Sequence, residues 1–454
     1  MSFRSLALLL FCTTLPAQRL DTDKLAAKIA ESLKKAGAPS VSVAVVEDGK
    51  LVYADAFGMA DLGPPRAATV QTRYAIGSVS KEFTAAAILM LQEQGKLSLD
   101  DKVSKYFPNL RRASEITIRQ LLSHTSGYED YAPQDYIIPE WTEPISPAAI
   151  LDRWAMKPLN FDPGTKWQYS NTGYVLAASI FEKVSGQPLV AYLKAHIFEP
   201  LGMASADDWR IGDPTNAVAY TRFAVGPPRA VKREAGHWYF GAGELAMTPT
   251  DLAKWDIAFL EKKLLSARSY DDFTREIILA NGNRTHYALG LSVGEMSNIP
   301  MLSHNGEVSG FLTSNMIFPT RNAAIAVVSN EDGINLVGPV ARQIASALLL
   351  PEIPEGKPKD TAQVRKVVEG LREGKIERAL FTSNANAYFT PEALGDLKAS
   401  LAKLGRLKGV TYGSENLRGG MTHRSYRAEF EKKTLNLNIY VTADGKFEQF
   451  MVEE

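Results

Sequence analysis

The sequence predicts an α/β protein: an antiparallel sheet flanked by helices, an all-helical lobe inserted into it, and a small C-terminal α+β domain. Three observations predict this. The 454 residues are about three times the ~150 expected of one domain. Strand-like segments lie at 40–57 and again at 287–329 with mostly helical patterns between them, so one sheet must be assembled from distant segments. A proline-rich stretch, Pro351-Glu-Ile-Pro-Glu-Gly-Lys-Pro-Lys359, has little to bury and sets apart the residues that follow.

Taken in order, Met1-Ser-Phe-Arg4 carries one positive charge and Leu6 to Leu15 is a short apolar run ending at Leu15-Pro-Ala17-Gln18. About 20 apolar residues are needed to span a bilayer, and this run is half that, so residues 1–17 read as a secretory signal and the protein as exported, periplasmic or extracellular. The chain's one cysteine, Cys12, leaves with that segment, which excludes a disulfide framework and a cysteine-rich zinc site. No other run is apolar enough for stable membrane insertion. Lys+Arg and Asp+Glu stand at 51 each, which leaves no basic surplus to neutralise a phosphate backbone and excludes nucleic acid as an expected partner.

The body of the protein, residues 18–350, opens with Leu25, Ile29 and Leu33 four apart, an amphipathic helix stopped by Gly37 and Pro39. Ser40 to Glu47 alternates like a strand, and Asp48-Gly49 turns it back through Leu51 to Phe57. Helices are expected at Phe83–Gln94, Ile116–Leu122, Ile150–Met156, Tyr174–Val184, Leu189–Phe198 and Thr250–Phe259, the last with Thr248 or Thr250 as cap. Tyr128 to Pro147 is aromatic, proline-rich and without period, and reads as a long surface loop. Strands follow at Tyr287–Val293, Met301–His304, Phe311–Phe318 and Ala323–Ser329, then a helix at Val337–Leu350. Beyond the linker (351–361), residues 362–454 predict helices at Gln363–Arg372, Ile376–Phe381 and from Thr390-Pro391 to Leu404, then strands at Tyr426–Phe430, Leu435–Val441 and Phe447–Val452.

Chemistry-bearing residues occur in three places. In Ser78-Val-Ser-Lys81, a three-residue spacing at a helix start puts both side chains on one face. A desolvated lysine can take a serine's proton at neutral pH, and a helix N-terminus supplies donors for an oxyanion. In Tyr169-Ser-Asn171, a phenol can shuttle a proton and an amide can hold substrate. In His304-Asn-Gly306, glycine lets a substrate backbone lie against a strand edge, the next amide, that of Glu307, can point at the reacting oxygen, and His304 offers a donor. Each motif alone is equally a cap, a buried tyrosine or a structural histidine.

Together and in that order, separated by about 90 and 135 residues, they resemble the serine β-lactamase and penicillin-binding-protein superfamily. The Tyr-x-Asn form is similar to its branch of class C β-lactamases, D-stereospecific peptidases and related esterases. Leu121-Leu-Ser-His-Thr-Ser-Gly127 and Gly241-Ala-Gly-Glu-Leu-Ala-Met-Thr-Pro-Thr-Asp-Leu-Ala-Lys-Trp255 agree with that resemblance, which covers roughly residues 24–350. It implies Ser78 as acylated nucleophile, Lys81 as its proton partner and Tyr169 as general base and acid. It further implies that Asn171, His304 and Gly306 position substrate, and that the amides of Ser78 and Glu307 bind the oxyanion. Gly290-Leu-Ser292-Val-Gly294 matches a nucleophile elbow, but that motif needs a strand, a sharp turn and a helix, and Ser292 sits in an alternating strand.

Many β-lactamases of this superfamily carry Lys-Thr-Gly at the third motif. His304 here is only partly charged near pH 7, so efficient β-lactam hydrolysis is not expected. No metal-binding pattern is present and no metal or cofactor is expected. The last 93 residues look similar to cone-shaped, nuclear-transport-factor-like accessory domains, through Gly419-Gly-Met-Thr-His-Arg-Ser-Tyr426 and Asp444-Gly-Lys-Phe-Glu-Gln-Phe450. The expected function is an exported serine hydrolase working through an acyl-enzyme on a small-molecule or peptide substrate. D-amino-acid peptides are favoured, with an esterase, a β-lactamase or a non-catalytic sensor of the same fold as alternatives.

Overall fold

The computed structural model describes residues 20–134, 137–209, 214–224, 226–349, 361–418 and 421–453. The expected signal segment, all but the last residue of the expected linker, Tyr136, and Gly419-Gly420 lie outside them. The chain divides into two compact units at Pro351/Glu352.

In the first unit seven strands form one antiparallel sheet, in the order Pro65–Ala67, Lys50–Leu62, Ser40–Glu47, Ala323–Ser329, Phe311–Phe318, Ile299–Val308 and Ser292–Met296. The N-terminal hairpin thus pairs with a strand almost 300 residues away, Val43 opposite Val327. Period-two alternation then sorts side chains to two faces. Val41, Val43, Val45, Ile325 and Val327 pack under the helices Thr22–Ala36 and Val337–Leu349. Ala44, Val46, Ala324 and Ala326 face the helical lobe. Both faces are covered, and the central strand Ala323–Ser329 accordingly reads as a nearly continuous apolar run.

The lobe is built around the helix Ser80–Glu93, twelve of whose fourteen residues are buried. A helix apolar on all sides belongs in a core, and Asn171–Ser185 lies beside it with ten buried residues of its own. The structure starts the first of these helices three residues before Phe83, after a 3-10 turn at Gly77–Val79, so the Ser-x-x-Lys motif lies on continuous helical backbone. Three expectations are corrected. The strand predicted at Tyr287–Val293 begins only at Ser292, because Gly290 takes φ +79° and breaks the extended run. The segment predicted as a surface loop buries Tyr128, Tyr131 and Trp141, with Tyr131 and Trp141 stacking on Trp238. The helices predicted to end near Met156 and Phe198 finish in π-turns, Leu151–Ala155 and Lys194–Phe198.

The second unit is a four-stranded antiparallel sheet, Leu407–Arg418, Met421–Phe430, Thr434–Val441 and Phe447–Glu453 in sequence order. Helices Thr361–Glu373, Ser383–Tyr388 and Pro391–Ala402 accompany it, the last capped by Thr390 with proline in its first turn. Leu371, Phe381, Phe389, Tyr426, Leu437 and Phe450 share its core. The sequence had not indicated the first strand or the Ser383 helix, and Ile376–Phe381 holds only a 3-10 turn.

Candidate active site

Ser78 stands at the start of the buried helix, partly open to a cavity of about 800 Å³ whose wall includes Tyr169, His304, Trp141, Trp167 and Tyr287. Lys81 is fully buried one turn on. Its Nζ lies 2.9 Å from Ser78 Oγ, 2.8 Å from Asn171 Oδ1 and 2.7 Å from the Ala242 carbonyl oxygen. Three partners occupy the three tetrahedral positions of the amine. Burial pulls its pKa from 10.5 down to about 7, opposed by the charge of Asp130. Tyr169 donates its hydroxyl to Ser78 Oγ at 2.7 Å, and Lys81 Nζ lies 4.9 Å from the centre of its ring. Desolvation pushes this phenol well above its ordinary value, so the resting group is a protonated donor.

The third motif reaches the site from the sheet. The outer strand Ser292–Met296 pairs with Ile299–Ser303 only, and His304 onward turns its outer edge to the Gly77–Val79 turn. Two glycines permit that approach. A Cβ on Gly306 would collide with the Ile76 carbonyl, and one on Gly77, which has φ +51°, would lie 2.7 Å from the Glu307 nitrogen. The same Cβ on Gly306 would lie 3.3 Å from the Ser78 nitrogen, so the amide nitrogens of Ser78 and Glu307 flank this contact.

The structure thus gathers Ser78, Lys81, Tyr169, Asn171, His304, Gly306 and Glu307 around one point, but gives two of them other partners than the sequence suggested. Asn171 spends its amide inside the protein: Oδ1 accepts from Lys81, and Nδ2 donates to Asp130 at 3.2 and 3.4 Å. Its side chain orients the lysine. His304 is 6% exposed, with Nε2 2.8 Å from the Tyr287 hydroxyl and Nδ1 2.6 Å from the Asn305 carbonyl oxygen. Neither ring nitrogen is free to donate to a substrate, and burial beside Lys81 takes its pKa down to about 3. Ser292 lines the cavity wall on a strand, with no helix after it.

Sequence reasoning missed Asp130, His124 as a functional residue, and Tyr287. Asp130 accepts from the backbone and side-chain N–H groups of Asn171 and is the acid nearest in effect to Lys81. His124, 1% exposed, accepts from the Ser170 N–H at Nδ1 and stacks on Tyr169 with ring centres 4.2 Å apart. It lay within a segment already recognised as a family match; Asp130 and Tyr287 stand in no motif.

This is a serine hydrolase fold of the penicillin-binding type. Residues 25–349 match the Beta-lactamase family model, and the chain belongs to that family. It is similar to PbpX of Bacillus subtilis, with 30% identity over 323 residues, 71% of this chain and 78% of that one. Among solved structures, the octameric penicillin-binding protein homologue from Pyrococcus abyssi superposes with a TM-score of 0.63 at 22% identity, covering 96% of this chain and all of that one. D-amino acid amidase from Ochrobactrum anthropi superposes with a TM-score of 0.62 at 21% identity, covering 72% of this chain and 98% of the other. At these identities the two structures establish the fold. No helix among the described residues is long and apolar enough to cross a membrane.

Proposed function

We propose that the protein is an exported hydrolase that acylates Ser78 with a peptide, amide or ester substrate and releases the acyl group to water. The observation that carries this is the Ser78 hydroxyl held between Lys81 Nζ at 2.9 Å and Tyr169 Oη at 2.7 Å. A lysine with a pKa of about 7 is neutral in half the molecules at that pH, with two N–H groups for Asn171 and Ala242 and its lone pair toward Ser78. In the proposed reaction the Ser78 proton passes to Lys81 as Oγ bonds to the carbonyl carbon, and the oxyanion is met by the Ser78 and Glu307 amides. Collapse breaks the bond to the leaving group, which takes the Tyr169 proton, and the tyrosinate is reprotonated from Lys81. Water then repeats the sequence on the ester. This modifies the expectation for Tyr169: its raised pKa favours the acid role, and the depressed pKa of Lys81 favours that residue as base.

D-amino-acid amides and peptides are the favoured substrates, supported by the fold shared with D-amino acid amidase. Export is supported by the pattern of residues 1–17. A fluorophosphonate probe followed by peptide mapping tests the centre, with the adduct expected on the Ser78 peptide. A label on Ser292 that survives Ser78→Ala overturns the assignment. A panel of p-nitrophenyl esters, D-amino-acid amides and a chromogenic cephalosporin then ranks the substrates.

A further inference from the structure

Four hydrogen bonds, three of them fully buried, run in one direction behind the site. The Ser170 N–H donates to His124 Nδ1 at 3.1 Å, so in the neutral ring His124 carries its proton on Nε2, 3.2 Å from the Tyr287 hydroxyl. At the far end His304 Nδ1 lies 2.6 Å from the Asn305 carbonyl oxygen, which only accepts, so His304 carries its proton on Nδ1. Its Nε2 is therefore an acceptor, and the group within reach at 2.8 Å is the Tyr287 hydroxyl. The protons run Ser170 to His124 to Tyr287 to His304 to Asn305; moving the His124 proton to Nδ1 sets two donors face to face at Ser170, and moving the His304 proton to Nε2 sets two acceptors face to face at Asn305. Tyr287 is 3% exposed and keeps its ring against Trp167 and His124, at 5.7 and 4.8 Å between centres.

We propose that Tyr287 is a specificity-determining residue: by donating to His304 Nε2 it withdraws from the cavity the imidazole N–H that a substrate's free carboxylate would need. The site then selects ester and amide substrates that are neutral near the scissile bond. This rests on Ser78 as the acylated nucleophile. The titratable groups around His304 are Lys81, His124, Tyr169 and Tyr287. The ammonium of Lys81 opposes a second positive charge there, and burial acts in the same direction. His304 in the parent therefore stays neutral throughout pH 5.5 to 8.

The test compares an acyl-D-alanyl depsipeptide ending in D-lactate with the same compound ending as its methylamide. In the parent the methylamide is preferred, and the ratio of kcat/KM values is flat from pH 5.5 to 8. Tyr287→Phe removes the hydroxyl and keeps the ring. It is expected to raise the ratio toward the carboxylate substrate by about fivefold or more, through KM, increasingly so toward pH 5.5. Adding His304→Gln returns the ratio to the parent value, which a general loosening of the site would not do. An unchanged ratio in Tyr287→Phe, with Ser78 still labelled by fluorophosphonate, overturns the proposal alone; loss of that label in the parent overturns the hydrolase reading with it. The parent gives a measurement independent of the variant's folding. Nitrogen chemical shifts of His304 should show Nδ1 protonated and Nε2 bare, and a protonated Nε2 overturns the proposal.

Discussion

Replacing Asp130 by asparagine removes the carboxylate charge that favours the ammonium form of Lys81, and leaves an amide oxygen to accept from Asn171. The path from Lys81 Nζ to Asp130 Oδ1 consists of contacts of 2.8 and 3.2 Å and the Asn171 amide between them. The two charges therefore lie no more than about 8 Å apart. At that distance and an effective dielectric constant of about 20, their attraction is about 2 kcal/mol, or about 1.5 pK units. The sign is fixed by which form of Lys81 works. In the proposed reaction the neutral amine accepts the Ser78 proton, so activity should fall as pH drops through the lysine pKa, about 7 in the parent. Without the Asp130 charge the amine stays neutral to lower pH. The acid limb of kcat/KM for a p-nitrophenyl ester, measured from pH 4.5 to 9, should therefore centre near 7 in the parent and move down by about 1.5 units in Asp130→Asn. Lys81 is fully buried and Asp130 is half-buried on the cavity wall, so added salt should weaken the shift without abolishing it. An acid limb that stays in place or moves to higher pH refutes Lys81 as the base.

Tyr169→Phe should lower amide turnover by roughly 10²–10⁴-fold while the fold is kept. The loss should be smaller for p-nitrophenyl esters, whose leaving group needs no proton; equal losses on both would take the acid role away from Tyr169. Gly306→Ala drives a Cβ into the Ile76 carbonyl and separates the two amides. Turnover and the rate of fluorophosphonate labelling should both fall by roughly 10²-fold, and unchanged labelling kinetics would remove the Glu307 amide from the oxyanion site. Beneath the site, Glu82 accepts from Trp255 Nε1 at 2.8 Å, and burial raises its pKa from 4.5 to about 7. The folded state then holds a proton that the unfolded chain has lost, so stability should decline from about pH 4.5 to 7. Glu82→Gln should flatten that part of the melting-temperature profile; an unaltered slope would show that Glu82 is ionised in the fold.

What the sequence made legible was what is local or periodic. The helix bearing Ser78 and Lys81, the strands Phe311–Phe318 and Ala323–Ser329, and the Thr390 cap each depend on residues within a turn or two of one another. Gly306 was readable as a close approach at a strand edge, although the group that comes close is the Ile76 carbonyl. What stayed hidden depends on partners distant in sequence. Asp130 reaches Asn171 across 41 residues and Tyr287 reaches His124 across 163, and neither has a spacing rule. The aromatic stretch after Gly127 has no period because its burial is set residue by residue against Trp154 and Trp238 rather than by a repeating face. His304 was readable as a departure from lysine, but the direction of its proton required Tyr287 and the Asn305 carbonyl to be in view.

The charge state of the site follows from three basic groups sharing one desolvated volume. Lys81 is pulled to about 7 by burial, and its charge helps hold both His124 and His304 below their ordinary value. Near neutral pH the cluster therefore carries at most one positive charge, and that charge resides on Lys81, the group touching Ser78 Oγ. A permanent cation in place of His304 would depress Lys81 further and compete with Asp130 for control of it. Keeping the histidine neutral leaves Lys81 free to gain and lose one proton in each proposed half-reaction. Tyr169, protonated at rest and within cation–π distance of Lys81, is placed to pass that proton on. In the proposed reaction the oxyanion is then left to uncharged donors, the Ser78 and Glu307 amides, which would require no charge reorganisation as the tetrahedral centre forms. On this account, losing an amide by displacement of Gly306 and losing a charge at Asp130 have separable signatures. The first lowers the rate at every pH, and the second moves the pH at which the rate is reached.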